Sequence, residues 1–228
     1  MQLTGEVGAG KTTLCRAMLE QLDSHYSTAL ILNPILSADQ LMKEISREFG
    51  LPVGGLGLDR LEILAMTNEF LLRQVEHGRE AVLIIDEAQD LTDELLEQIR
   101  LLSNLETDDR KLLQIVLMGQ PELRDRLNNP RLRQLRQRIT VRYHLLPLSR
   151  FEIAQYVQHR LEVSGAKGAP YFTQPALWRV HRYSGGIPRL VNAVCDKALL
   201  AGYVQQASRI NYAMIGRAIR ELEGHIEA

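Results

Sequence analysis

Directly after Met1–Thr4 stands the stretch Gly5-Glu6-Val7-Gly8-Ala9-Gly10-Lys11-Thr12-Thr13. Two glycines five positions apart, followed at once by Lys and Thr, have the spacing of a phosphate-binding loop. The glycines let backbone N–H groups turn inward around a polyphosphate, and Lys11 adds a point charge for its outer phosphates. The Thr12 hydroxyl is a hard oxygen ligand for Mg²⁺. A helix is expected from Lys11 to Leu22, its N-terminal dipole adding to the attraction for anions. The pattern implies a nucleoside triphosphate contacted by Gly5, Glu6, Val7, Gly8, Ala9, Gly10, Lys11, Thr12 and Thr13. The competing reading is a Gly-rich strand-to-helix turn that binds nothing. A strand feeding such a loop ordinarily runs to about five residues, so the front of the chain reads as trimmed.

The remaining periodicities agree with this start. Ser27–Leu32 is an apolar strand stopped by Asn33-Pro34, and Ser37-Ala38-Asp39-Gln40 caps a helix through about Phe49. Gly50–Gly57 reads as a loop. Leu58–Glu76 reads as an amphipathic helix with Leu61, Leu64, Ala65 and Leu72 facing inward. Ala81–Ile85, apolar at every position, suits a strand covered on both faces and placed next to the strand of the phosphate loop. A helix over Thr92–Asn104, a strand over Leu112–Met118, short helical pieces to Arg136 and a strand over Ile139–Tyr143 complete an alternating pattern. Such alternation specifies a three-layer α/β domain with a parallel sheet. From Pro147 the pattern is helical, with segments Leu148–Val163, Gln174–Tyr183, Pro188–Gly202 and Asn211–Glu223 and no strand signal between them. The expectation is therefore a nucleotide-binding domain over residues 1–146 and a small all-helical domain over 147–228, with Trp178, Tyr171 and Phe172 in the helical core.

Strand ends supply the chemistry. Asp86, at the end of Ala81–Ile85, is placed to hold Mg²⁺, and Glu87 beside it to take a proton from an attacking water. Gln120, ending the next strand, opens onto the same strand edge and reaches the γ-phosphate or the water. Asn33, ending the second strand, is placed to restrain Glu87. Without the phosphate loop, Asp86-Glu87 would read as a pair of charges favouring a helix N-terminus.

Charge is distributed unevenly. The chain has 27 basic and 28 acidic residues, a net charge of −1, so it carries no general field for nucleic acid or anionic lipid. Yet residues 122–142 contain seven arginines and are net +5. Arg136 and Arg138 stand just before the last strand, where a neighbouring subunit's γ-phosphate would be within reach. A nucleic-acid patch is the weaker reading, because no aromatics are interleaved for stacking. Gly185-Gly186-Ile187-Pro188-Arg189 opens a helix with Pro in its first turn, from whose start Arg189 projects. Cys15 and Cys195 lack metal-ligand spacing and read as buried thiols. No apolar run is long enough to span a membrane.

Together the motifs resemble the AAA+ ATPases. The resemblance is closer to the ExeA/GspA type of bacterial secretion ATPase, with the related MshM ATPase of pilus biogenesis and the exosortase-associated ATPases. It is carried by GEVGAGKTTLCR, LIIDEAQDL, LLSNLETDDRKLLQIVLMGQPELRDRL, LRQLRQRI and SGGIPRLVN. It implies a Mg²⁺-dependent ATPase in which Gln120 is the first sensor, Arg189 the second, and Arg138 the arginine finger with Arg136 in reserve. Asn33 then takes the position of the glutamate switch, and the helical domain that of the lid. The resemblance further implies ATP-dependent self-assembly, a cytoplasmic location at the inner-membrane face, and a membrane-bound secretion or pilus-assembly partner. Relatives carry a segment ahead of the loop that helps enclose the adenine. Transposition regulators of the TniB type share the layout, and imply DNA handling as the alternative.

Overall fold

The computed structural model describes residues 1–54, 57–107 and 109–224. The expected Gly50–Gly57 loop falls partly on Gly55 and Leu56, and part of the quoted LETDD stretch on Asp108; these lie outside the described residues. The chain divides into two compact units, Met1–Gly5 with Lys11–Leu145, and Glu6–Gly10 with the chain from Leu146 onward.

The first unit is built on five parallel strands: β1 (Gln2–Gly5), β2 (Tyr26–Ile31), β3 (Glu80–Ile85), β4 (Leu113–Gly119) and β5 (Arg142–Leu145). Their order is β2-β3-β4-β1-β5. Asp86 therefore does not follow a strand adjacent to the phosphate-loop strand, as the sequence reading had it. β4 lies between, its Leu117 paired with Ile85 of β3 on one side and Gln2 of β1 on the other. The four residues of β1 suffice for a strand because both of its edges are paired, to β4 and to β5.

Helices α1 (Lys11–Gln21), α2 (Ala38–Glu48), α3 (Arg60–Glu76), α4 (Asp93–Leu102), α5 (Pro121–Leu127) and α6 (Arg133–Arg138) connect these strands. The uninterrupted apolar run in β3 is explained by burial on both faces. Leu83 and Ile85 join one core with α2, α3 and α4, while Ile84 packs with Leu3, Met118 and Cys15 of α1 on the other. Ser37 and Asp59 close reciprocal capping boxes with Gln40 and Glu62, starting α2 and α3 where the side chains direct.

Two expectations are corrected here. The inward stripe of α3 is Ile63, Thr67 and Leu71, whereas Leu61 is 74% exposed and Ala65 and Leu72 also face outward; only Leu64 of the expected set is half-buried. A polar residue sits at the centre of the true stripe. Thr67 is accommodated because its hydroxyl donates to Ile63 O at 2.7 Å and lies 2.9 Å from Ser46 Oγ. The last strand begins at Arg142, three residues later than expected, because Ile139 is buried in the core that holds α6 while β5 is an exposed edge. Hydrophobicity marked the residue before the strand instead of the strand itself.

The second unit contains α7 (Arg150–Val163), α8 (Gln174–Ser184), α9 (Pro188–Val204) and α10 (Tyr212–Leu222) around Ile153, Val180, Val191, Val194, Ala198 and Ile215. A two-residue parallel pair, β6 (Tyr171–Phe172) with β7 (Arg209–Ile210), was not legible in the sequence. Phe172 belongs to this core, but Tyr171 is exposed and Trp178 is half-buried. The Trp178 ring stacks on Tyr212 at 6.4 Å, and Arg179 and Arg182 cover the two rings. Among the described residues no helix is long and apolar enough to cross a membrane.

Candidate functional site

The C-terminal ends of β1, β3 and β4 and the start of α1 carry the polar residues singled out above. Lys11 opens α1 and is buried, at 6% exposure, with Nζ donating to Gly5 O at the end of β1 across 2.8 Å. Thr12, next in the helix, donates from Oγ1 to Asp86 Oδ2 at 2.5 Å. Asp86, at 3% exposure, also accepts from the Glu87 N–H through Oδ1 at 2.9 Å. Both carboxylate oxygens are thus satisfied, as burial of an ionised group demands.

Glu87 adopts the left-handed conformation, φ 50° and ψ 37°, in the turn that leads into a short 3₁₀ segment, Ala88–Asp90. That backbone is uncommon for a residue with a β-carbon and occurs where surrounding contacts enforce it. Gln89 Nε2 donates to Glu87 Oε2 at 2.9 Å and reaches Asp90 Oδ2 at 3.2 Å, while Gln89 Oε1 accepts from the Gln120 N–H at 3.0 Å. Gln120 Nε2 lies 3.4 Å from the same Glu87 oxygen. Asp86, Glu87 and Gln120 therefore come together as anticipated, and Gln89 is the residue that sequence reasoning missed. Its signal, a glutamine two positions after the second acid of Asp86-Glu87, looked like any polar residue of a turn.

Asn33 is exposed and turned to its own backbone: Oδ1 accepts from the Ile35 N–H at 3.3 Å. No hydrogen bond joins it to Glu87 among the described residues. Arg138 donates to Ser103 O at 3.0 Å, and Arg136 reaches Asn128 Oδ1 at 3.5 Å. Of the other clustered arginines, Arg126 pairs with Asp93, Arg124 lies beside Asp125, and Arg142 donates to Arg136 O. Cys15, one turn into α1, has its thiol pKa raised by burial and then by the Asp86 charge.

The loop segment Glu6–Gly10 groups with the helical unit, and within that unit the Arg189 N–H donates to Gly8 O at 3.2 Å. Gly8 and Gly10 have φ of 80° and 97°, values open to glycine, and a β-carbon on Gly8 would lie 2.6 Å from Arg189 Cβ. Val7 is exposed and Ala9 buried; Thr13 is exposed on α1.

These donors suit Mg²⁺. A hydroxyl and a carboxylate, both hard oxygen donors, already face one another at the Thr12–Asp86 hydrogen bond. No group of three or more His, Cys, Asp or Glu that would cage a metal exists among the described residues.

Over residues 1–127 the chain matches the AAA domain family. It is 48% identical over 225 residues to general secretion pathway protein A of Aeromonas hydrophila, a match covering 97% of this chain and 40% of that protein. The chain thus spans less than half the length of this curated relative. Among solved structures it is similar to Cdc6p from Pyrobaculum aerophilum, with a TM-score of 0.71 at 21% identity, over 92% of this chain and 57% of that one. It is also similar to the ORC2 protein of Aeropyrum pernix in its ADPNP–ADP complexes, with a TM-score of 0.68 at 16% identity, over 100% of this chain and 62% of that one. At such identities the likeness is one of fold.

Proposed function

Since the chain belongs to the AAA domain family, we propose that it is a Mg²⁺-dependent ATPase module that powers or gates assembly of a bacterial secretion, pilus or exopolysaccharide export system. The observation that carries the reading is the 2.5 Å hydrogen bond from Thr12 to Asp86, which joins the first turn of α1 to the acidic end of β3. Gly5, Glu6, Val7, Gly8, Ala9, Gly10, Lys11, Thr12 and Thr13 hold the phosphates of ATP. Thr12 and Asp86 hold Mg²⁺, which when bound neutralises charge on the phosphate oxygens. Glu87 accepts the proton of the attacking water, and Gln120 orients that water or the γ-phosphate. Arg189 senses nucleotide in its own chain. Arg138, with Arg136 beside it, serves as the finger for a neighbouring copy, so turnover rises on self-assembly. Residues 1–146 form the nucleotide-binding domain in this scheme, and residues 147–228 the helical lid.

The secretion role is supported by the 48% identity to general secretion pathway protein A. With it goes a location at the cytoplasmic face of the inner membrane and a membrane-bound assembly partner. The test is ATP turnover by the purified chain with Mg²⁺, compared with Glu87→Gln and Lys11→Ala. Glu87→Gln is expected to retain ATP affinity and lose about 10²–10⁴-fold in turnover, the usual reach of a general base. Lys11→Ala is expected to lose binding. Sedimentation of Glu87→Gln with ATP and Mg²⁺ is expected to give a discrete larger species. Undiminished turnover by Glu87→Gln overturns the assignment of the base.

A further inference from the structure

The Glu87 carboxylate is tethered through one oxygen. Both amides that reach it, from Gln89 at 2.9 Å and Gln120 at 3.4 Å, address Oε2; no hydrogen bond to Oε1 occurs among the described residues. The Gln89 contact is the shorter and hence the stronger of the two. Gln89 is itself held at three further points, one of them Asp90 Oδ2, to which its Nε2 also donates at 3.2 Å. Its Oε1 accepts from the Gln120 N–H at the end of β4, and its carbonyl accepts from Arg126 Nη1 at 2.6 Å. Arg126 in turn is anchored to Asp93 at 2.9 Å. The orientation of the Gln89 amide follows from these partners: Nε2 faces carboxylates and Oε1 faces an N–H, so a flipped amide would set oxygen against oxygen.

The strand beneath makes room for this arrangement. A β-carbon on Gly119 would lie 2.7 Å from Gln89 Oε1, so the absence of a side chain there permits the Gln89 amide to lie against β4. The left-handed backbone at Glu87 sets where its side chain starts, and Gln89 sets where it ends. Asn33, the residue anticipated to restrain Glu87, is occupied with its own turn.

We propose that Gln89 is the positioning residue for Glu87: its amide clamps Oε2, presents Oε1 to the attacking water, and ties the base to the end of β4. The proposal rests on the reading of Glu87 as general base. A base held in place by a rigid partner keeps near-attack geometry, and a misplacement of about 1 Å can cost 10²-fold.

The test compares steady-state ATP turnover, ADP affinity and melting temperature for the wild-type chain, Glu87→Gln, Gln89→Glu, Gln89→Ala and Gly119→Ala. Gln89→Glu keeps the size of the side chain but cannot donate from its ionised form to Glu87. Gly119→Ala leaves Gln89 chemically intact but displaces its amide. All three variants of the clamp are expected to lose kcat roughly 10- to 100-fold, with KM and ADP affinity within twofold of wild type. In the Glu87→Gln background, Gln89→Ala is expected to add no further loss. Turnover equal to wild type in Gln89→Glu and Gln89→Ala, alongside a dead Glu87→Gln, overturns the role of Gln89 and leaves Glu87 as base. A lowered melting temperature or ADP affinity with kcat unchanged makes Gln89 a structural staple and likewise overturns it. Turnover retained by Glu87→Gln, or absent from the wild type, overturns the reading beneath.

Discussion

The Thr12 hydroxyl donates to the Asp86 carboxylate across 2.5 Å, joining residues 74 positions apart in the chain. The first turn of α1 and the end of β3 meet there although β4 lies between the strands that carry them. Asp86 is only 3% exposed, so the hydroxyl does two things: it satisfies a buried charge, and it stands where a hard cation would take both oxygens as ligands.

Thr12→Val removes the donor while conserving shape. Without nucleotide it is expected to lower stability by about 1–3 kcal/mol, the cost of a buried charged group that loses a hydrogen bond. Urea unfolding checks this. The same variant is expected to bind ATP without the strengthening that Mg²⁺ gives the wild type, as read by titration with and without the ion.

Arg138→Ala is expected to leave ATP affinity unchanged and to remove the rise in turnover on self-assembly; an arginine finger contributes about 10³–10⁵-fold in other phosphoryl-transfer systems. Its bond to Ser103 O at 3.0 Å predicts a second, smaller effect, a stability loss of about 1 kcal/mol. Turnover measured against protein concentration separates the two. Stimulation that persists in Arg138→Ala but vanishes in Arg136→Ala moves the role to Arg136.

The adjacent glycines of the Gly185-Gly186 turn are expected to respond very differently to alanine. Both have positive φ, 58° and 85°. A β-carbon on Gly185 meets nothing within 4 Å, so Gly185→Ala costs only about 1–2 kcal/mol of backbone strain. On Gly186 it would lie 2.1 Å from Leu148 O, in backbone whose N–H donates to Gly186 O at 2.9 Å. That clash cannot be relieved by a rotamer change, and the loss is expected to exceed about 4 kcal/mol. Thermal melts of the two variants give the comparison.

Burial pushes the Cys195 thiol up to about 12, with the Asp196 charge adding to it. The neutral form is favoured in the fold, so the contribution to stability is constant below the ordinary thiol pKa near 9.0. It falls as pH rises from there toward 12, because the unfolded chain ionises first. At pH 8 the Cys195 thiol is expected to react with a disulfide reagent orders of magnitude more slowly in the folded protein than in urea. Equal rates in the two states refute the burial argument.

How much of this was legible depended on how local the cause was. The phosphate-loop pattern, the capping box at Ser37 and the apolar run of β3 are short-range codes, set by backbone sterics and by hydrogen-bonding groups a few residues apart. That Asp86, Glu87 and Gln120 lie near one another was legible because ends of parallel strands share one edge of a sheet. The stripe of α3 was misread because Thr67 at its centre is polar, and its burial depends on Ser46, a residue of another helix. β5 was misplaced because an exposed edge strand carries little apolar signal.

Gln89 marks the limit of local reasoning. Nothing in its neighbours distinguishes it from a solvated turn residue; its role arises only when β4 brings Gln120 and the bare backbone of Gly119 against it. The sequence by itself determined the class of fold, the glycine-rich turn that opens α1 and the strand end at which Asp86 and Glu87 stand, since those follow from glycine stereochemistry, side-chain chemistry and periodicity over a few residues. Only the tertiary structure decided the strand order and the residue that holds the Glu87 carboxylate. Both depend on contacts between segments far apart in the chain, which form only once burial of the apolar sheet faces has fixed how the strands pack.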